Sequence, residues 1–170
     1  ANSICEDRNG RLWVGTEQGL CYLDNHGNLQ YYNVQSDQHD ELIDIKKILV
    51  DKQNNLWIGS SKQGLFWLNV HTKEFKSIDL PGGKLRGDEV QTIYQSKDGI
   101  IWIGTYYSGV YYVPTGSLTV KPLGSFPSSE RQSTVRSIIE DKEGHLWFGT
   151  RGGLICYDRP SGKYNVFKAD

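Results

Sequence analysis

Short apolar runs alternate with turn-forming residues along the whole chain, and one run occurs four times. Its copies are LWVGT at 12–16, LWIGS at 56–60, IWIGT at 101–105 and LWFGT at 146–150. The four tryptophans place the copies about 45 residues apart. A fixed period of this length indicates a repeat architecture, in which each unit buries its apolar surface against a neighbour.

The third copy predicts the secondary structure most clearly. A β-prone run at 90–95 is followed by an Asp-Gly turn at 96–99 and by a second strand at 100–105. A third strand is predicted at 110–113 and a fourth at 118–123. The other copies follow the same plan, and no stretch shows a sustained helical period. Every copy has a glycine before its third strand, where a positive φ is tolerated: Gly19, Gly64, Gly109 and Gly153.

Strands that are apolar on both faces need a cover on each face. Four antiparallel units of four strands therefore predict an all-β fold, a segment of a β-propeller whose blades cover one another. Trp13 and Gly15 share a strand face because side chains alternate, so the Trp-Gly pairs are assigned to packing between sheets. A linear β-solenoid is the structural alternative. Within the partial propeller at 1–170, the predicted blades are 1–35, 42–80, 88–124 and 134–170.

Four blades are compatible with two ring architectures. A closed four-bladed disc lies within the known range of propellers. The chain contains no Met and begins on Ala1, at the position that Ile45, Val90 and Val135 hold in the other copies. We therefore expect a segment of a larger array. An open arc exposes two apolar blade faces, which predicts self-association of two copies.

The composition limits the kinds of binding partner and cofactor that are expected. Nineteen basic and twenty acidic residues give a net charge of −1, so no basic surface for nucleic acid is expected. No apolar run is long enough to span a membrane, so membrane contact is expected only through missing parts of a parent chain. Cys5, Cys21 and Cys156 have neither metal-ligand nor paired spacing and are predicted to be unpaired core residues. His39 lies in a polar loop without ligand spacing, so neither a metal nor another cofactor is expected.

The repeats resemble a known family. Residues 138–150, IIEDKEGHLWFGT, followed by Gly153-Leu154, are similar to the two-component regulator propeller repeat, and residues 4–16, ICEDRNGRLWVGT, match in the same way. The second copy departs at Val50, Asn54 and Ser60, and the third at 95–96.

The resemblance implies a periplasmic sensor domain of a hybrid two-component histidine kinase of Bacteroidetes. Such domains typically contain two seven-bladed propellers, and many respond to oligosaccharides. The sequence contains no phosphoacceptor-histidine helix and no ATP-binding glycine box. We therefore expect that this fragment is not an enzyme, although its parent would be a histidine kinase.

The residues show no catalytic pattern. Asp7, Asp51 and Asp141 recur at one repeat position, whereas an active site occurs once, so they are interpreted as turn residues that bind backbone N–H groups. The sequence has no nucleophile elbow and no Ser-His-Asp order.

A ligand site is expected in the loops that vary between copies. The loops between strands two and three, and those between blades, lie on one face and offer aromatic rings, arginines and amides. This mixture suits a sugar, whose apolar C–H faces pack on rings while its hydroxyls need donors and acceptors. The candidate ligand-binding residues are Tyr106, Tyr107, Arg151, Arg86, Glu17 and Lys62.

The resulting interpretation is a non-catalytic sensor module that binds an oligosaccharide or another small molecule. A protein-interaction scaffold and a propeller lyase or lactonase are the alternatives. A saccharide-dependent rise in melting temperature would favour the sensor, capture of a partner without sugar the scaffold, and metal-dependent turnover the enzyme.

Overall fold

The computed structural model describes residues 1–32, 42–78, 88–127 and 133–168. These residues form sixteen β-strands and no helix, arranged as four separate four-stranded sheets. In each sheet the strands are antiparallel and adjacent strands are consecutive in the chain. The all-β prediction, with four antiparallel sheets of four strands, is confirmed. The chain divides into two compact units, Ala1–Glu89 and Val90–Asp170.

The first unit contains sheets 1 and 2. Sheet 1 consists of β1 (Ser3–Glu6), β2 (Leu12–Thr16), β3 (Gly19–Leu23) and β4 (Leu29–Tyr31). Sheet 2 consists of β5 (Ile45–Val50), β6 (Asn55–Ser60), β7 (Leu65–Asn69) and β8 (Phe75–Ile78).

The second unit contains sheets 3 and 4. Sheet 3 consists of β9 (Val90–Gln95), β10 (Ile101–Thr105), β11 (Val110–Val113) and β12 (Lys121–Pro122). Sheet 4 consists of β13 (Val135–Glu140), β14 (Leu146–Thr150), β15 (Gly153–Asp158) and β16 (Lys163–Phe167).

Close packing between sheets depends on the glycine of the recurring motif. A Cβ on Gly15 would lie 2.5 Å from Cγ2 of Ile45 in the next sheet, and a Cβ on Gly104 would lie 2.7 Å from Cγ1 of Val135. No side chain fits at such distances, so the missing Cβ lets a β-branched residue of the following sheet approach the backbone. The predicted role is confirmed for the pairs Trp13-Gly15 and Trp102-Gly104, one in each unit, whereas Trp147 is only half-buried and Gly149 meets Ser137 of its own sheet.

The turn before each inner strand is organised by an acidic or hydroxyl side chain. Oδ1 of Asp7 accepts the backbone N–H groups of Asn9 and Arg11, and the equivalent carboxylates of Asp51 and Asp141 also accept backbone N–H groups. The turn interpretation is therefore confirmed. The same carboxylates accept the indole N–H of the recurring Trp, a bond that the pattern analysis missed; the acceptor is Ser96 Oγ in the third copy.

The fourth strand of the third copy is shorter than predicted. The apolar pattern predicts a strand at 118–123, but only Lys121–Pro122 pair with β11. Pro122 has no N–H to donate to a neighbouring strand, and Ser117 and Thr119 form local turn bonds instead. Val120 is buried, so the apolar residue at that position fills the core without pairing.

The three cysteines are unpaired. Cys21 and Cys156 are buried, as predicted, whereas Cys5 is half-buried. Burial raises the pKa of the Cys5 thiol to about 12, so this thiol stays protonated at neutral pH. Among the described residues no helix is long and apolar enough to cross a membrane.

Candidate functional site

Each loop between a second and a third strand is closed by one hydrogen bond between its two ends. The last residue of each second strand is Thr or Ser, and its hydroxyl donates to the carbonyl of the glycine that precedes or begins the third strand. These bonds of 2.9–3.1 Å join Thr16 to Gly19, Ser60 to Gly64, Thr105 to Gly109 and Thr150 to Gly153. The side chains between each pair extend from an anchored backbone.

Tyr106 and Tyr107 form an aromatic pair in the loop between β10 and β11. Their ring centroids lie 4.6 Å apart with an interplanar angle of 66°, an edge-to-face arrangement. Tyr106 is half-buried, whereas Tyr107 is 69% exposed. The pair thus presents a large amphipathic surface to solvent at one end of the second unit.

Thr134 connects this loop to the loop of Arg151. Its Oγ1 donates to the Tyr106 carbonyl at 2.8 Å, and its own carbonyl accepts the Arg151 N–H at 3.1 Å. Thr134 is buried. The structure therefore brings Tyr106, Tyr107 and Arg151 to one end of the second unit, through a residue that is not among the sequence-predicted candidates.

The ring of Phe126 packs against Gly109, the residue at which this loop ends. Gly109 has a φ of +80°, and a Cβ there would lie 2.9 Å from Cδ1 of Phe126. The ring of Phe126 packs edge-on against Phe148 and Tyr164, with centroids 5.5 and 5.9 Å away. A loop held by these rings presents its tyrosines in a preformed geometry, which lowers the entropy cost of binding.

Glu17 and Lys62 belong to the first unit, where both are exposed loop residues. Near them Lys46 forms an ion pair with Asp44, Nζ to Oδ2 3.0 Å. The hydrogen bond to Asp44 raises the pKa of the Lys46 ammonium, and the charges of Asp44, Glu89 and Glu17 add to the effect. Glu17 thus lies within the field of a charged cluster at this loop end.

Two buried oxygens at this end of the first unit accept no hydrogen bond from the described residues. They are Oδ1 of Asp44 and Oε1 of Gln63. Their residues lie close together, because the Asp44 carbonyl accepts the Ser61 N–H and Gln63 Nε2 donates to the Leu42 carbonyl. Buried acceptors of this kind are costly unless a donor reaches them. The sequence pattern does not distinguish either residue, although Asp44 lies immediately before a first strand, beside the loops that vary between copies.

Arg86 lies outside the described residues, as does His39. The structure brings together three of the six candidates in the second unit, and it places Glu17 and Lys62 in the first. Their part in ligand binding remains a prediction.

One group in the described chain has the composition of a metal site. Asp141, Glu143 and His145 place one potential ligand atom each within 4.8 Å of one another. Oδ2 of Asp141 already accepts from Trp147 Nε1 at 2.8 Å and lies 3.0 Å from His145 Nδ1. These hydrogen bonds, the Trp147 bond first, lower the pKa of the Asp141 carboxyl to about 2. The contacts of the group are those of the recurrent turn, so it is assigned a structural role.

The family described as two component regulator propeller matches residues 1–18, 84–107 and 129–152, which include three of the four copies. The matched segments amount to less than half of the chain, and they are similar to the repeats of that family. Histidine kinase P4 of Formosa agariphila is 34% identical over 76 residues, 41% of this chain and 6% of that protein. The chain thus spans a small fraction of this curated relative.

Solved structures share the fold. The extracellular domain of a proposed hybrid two-component system from B. thetaiotaomicron has a TM-score of 0.80 and 20% identity, over 99% of this chain and 22% of that one. Virginiamycin B lyase from Staphylococcus aureus has a TM-score of 0.74 and 13% identity, over 99% of this chain and 55% of that one. At these identities the likeness concerns the fold alone, so the lyase supports no enzymatic reading of this chain.

Proposed function

We propose that this chain is a ligand-binding input module of a two-component sensor. It lies on the periplasmic side of the membrane, binds an oligosaccharide at the loop ends of its sheets and catalyses no reaction. The observation that carries the proposal is the exposed Tyr106–Tyr107 pair, whose loop is joined through Thr134 to the loop of Arg151. The repeat family and the extracellular domains of similar fold support the cellular setting.

The chemistry of both loop ends suits a sugar. In the second unit the Tyr rings offer apolar faces for sugar C–H groups, while Arg151 supplies N–H donors. In the first unit the exposed side chains of Glu17 and Lys62 offer an acceptor and a donor to sugar hydroxyls. The recurring carboxylates are engaged in turns, which favours a binding role over glycoside hydrolysis.

The signal would pass by a shift between conformations of the parent sensor. A ligand changes such an equilibrium only if it binds one conformation better than the other. The anchored loops supply fixed contacts for that difference, and the kinase of the parent protein would respond across the membrane.

The exposed residue Ile4 favours self-association as a second role. Its equivalents Ile48 and Ile138 are 3% and 5% exposed because a preceding sheet covers them, whereas Ile4 is 63% exposed. In the first unit the partner of such positions is the glycine face of β2, where Gly15 meets Ile45 and Ile48. We infer that a second copy of this chain covers Ile4 with a sheet face.

The test is calorimetric titration of the 170-residue chain with neutral oligosaccharides of several linkages, together with thermal melts. Binding by at least one of them, lost in the Tyr106→Ala/Tyr107→Ala variant, is the expected result. The Tyr106→Phe/Tyr107→Phe variant is the matched control, because it keeps both rings. Binding that survives the alanine variant would refute the proposed site, and no binding across the panel would refute the binding of neutral oligosaccharides by this chain.

A further inference from the structure

A polar cleft of about 570 Å³ opens in the first unit, away from the candidate loops. Its walls are the β1–β2 and β3–β4 turns of sheet 1 and the β7–β8 turn of sheet 2. Because successive connections of an antiparallel sheet alternate between its ends, these turns lie at the opposite end from Glu17 and Lys62. The volume falls in the range of small-molecule sites.

Arg11 is held in the cleft by aromatic rings. Its Cζ lies 4.8 Å from the ring centroid of Tyr22 and 5.7 Å from that of Trp13. These cation–π contacts fix the guanidinium without using its N–H donors. The ion pairs and hydrogen bonds of the described chain include none from the Arg11 side chain, so its planar fork is available to a ligand.

Lys73 places a second cation beside the same rings. Its Nζ lies 6.0 Å from the centroid of Tyr32, and the Tyr22 and Tyr32 centroids are 6.5 Å apart. Nζ donates to the Val70 carbonyl at 2.7 Å, which leaves further N–H donors of the ammonium free. Two cations on adjacent rings thus flank the cleft.

The two carboxylates of the cleft are already engaged. Asp7 accepts the N–H groups of Asn9 and Arg11 and the indole of Trp13. Asp24 accepts two backbone N–H groups and the side-chain amides of Asn28 and Gln30. The carboxylates therefore have little capacity left for a ligand, and the donors that remain include the cations of Arg11 and Lys73 beside the side chains of Asn9, Asn25 and His71.

We propose that this cleft binds an acidic saccharide, with a sugar carboxylate on Arg11 and Lys73. Charge-assisted bonds from a guanidinium fork suit a carboxylate, whereas a neutral sugar would accept only the weaker bonds of uncharged oxygens from these donors. Leu23 and Val70 line the cleft and offer apolar contact to C–H faces of the rings. This inference rests on the proposed function only in taking the ligand to be a saccharide. The location of the cleft and the requirement for a charged ligand do not depend on the proposed function.

The test compares trigalacturonate with its methyl ester, which has the same rings without the charges. Calorimetry on the 170-residue chain should show binding of the acid, and binding of the ester weaker by about tenfold or more. Arg11→Gln and Lys73→Gln should each weaken binding of the acid by about tenfold. Arg8→Gln removes an arginine from the same turn outside the cleft and should change affinity by less than about twofold. Thermal melts of each variant verify folding.

Several results would overturn the proposal. Equal binding of acid and ester would remove the role of charge, and an equal loss in Arg8→Gln would remove the role of the cleft. Sulfate that binds as tightly as trigalacturonate would point to a simple anion site. No binding of trigalacturonate to a folded chain would refute the proposal outright.

The Tyr106→Ala/Tyr107→Ala variant separates the two proposed sites. Trigalacturonate binding that persists in this variant supports the cleft, while neutral oligosaccharide binding should be lost. If the variant loses trigalacturonate as well, the cleft inference fails and the tyrosine site stands. If trigalacturonate needs Arg11 and no neutral sugar binds, the tyrosine site fails and the cleft stands.

Discussion

Trp13 Nε1 donates a hydrogen bond of 2.9 Å to Asp7 Oδ2, and both side chains are buried. We expect Asp7→Ala to lower the free energy of unfolding by about 2 kcal/mol, because it leaves a buried indole N–H without an acceptor. Asp7→Ser should cost less, since Ser96 Oγ accepts the Trp102 indole at 3.1 Å in the third copy. Urea unfolding followed by Trp fluorescence measures both, and an equal loss in the two variants would contradict the explanation.

Gly104 is tightly enclosed between its own sheet and sheet 4. A Cβ there would lie 2.7 Å from both Thr92 Cγ2 and Val135 Cγ1. Gly104→Ala should therefore destabilise the chain by about 1–3 kcal/mol through overpacking. Gly124→Ala is the control in the same unit, because a Cβ there would meet no atom within 4 Å. Chemical denaturation of the two variants compares them, and similar midpoints would exclude the packing role of Gly104.

Protonation of Asp141 is expected to lower the stability of the chain at acid pH. Hydrogen bonds from Trp147 and His145 lower its folded-state pKa from 3.8 to about 2. A lowered pKa contributes stability above the unfolded value, and this contribution is lost as the pH falls from about 4 to about 2. In Asp141→Asn we expect the melting temperature to fall less between pH 4 and pH 2 than in the unsubstituted chain. Glu143→Gln removes a neighbouring carboxylate that makes no bond to Trp147, and it should leave the profile unchanged; an identical effect of both variants would refute the assignment.

Thr134 acts as a positioning residue for the tyrosine loop. Thr134→Val removes the 2.8 Å bond to the Tyr106 carbonyl while keeping side-chain volume. We expect weaker binding of the neutral oligosaccharide that the chain binds, and recovery in Thr134→Ser, which restores the hydroxyl. Calorimetry reads the affinity and a thermal melt reads the stability. Equal affinity of the Val and Ser variants would show that the bond has no part in binding.

Ile4 gives the self-association proposal a direct test. The chain should sediment as a dimer at micromolar concentration, because an exposed Ile occupies a position that neighbouring sheets cover elsewhere. Ile4→Asp should shift the mass toward the monomer, whereas Ile4→Leu should retain the dimer. A monomeric mass for the unsubstituted chain would refute the proposal.

Local pattern predicts most of the strands, since they depend on alternation, turn residues and the repeated Trp-Gly pair. The substitution of Asn54 for glycine in the second copy illustrates why the pattern tolerates variation. Asn54 has a φ of 65°, close to the 77° of Gly10, and Asn adopts this region more readily than most residues. The prediction of β12 was too long because burial of Val120 and strand pairing produce the same apolar signal.

The sites were less accessible to sequence reasoning. Tyr106 and Arg151 lie in selected loops, but the contact of both with Thr134 depends on how β13 begins relative to β10. The cleft combines turns from two copies, so Arg11 and Lys73 come together only through packing of sheet 2 on sheet 1. Such juxtapositions have no fixed spacing in the chain.

The bond between the strand-ending hydroxyl and the following glycine has an evolutionary consequence. Its only atoms are a side-chain hydroxyl and a backbone carbonyl. The loop between the two bonded residues contains either two residues, as at 17–18, or three, as at 106–108. The residues between its ends can therefore be exchanged between copies. Tyr106-Tyr107-Ser108 could replace Glu17-Gln18 without a change in the register of the flanking strands. A chain of such repeats can acquire a new ligand by exchange of a few residues in one loop while the scaffold stays the same.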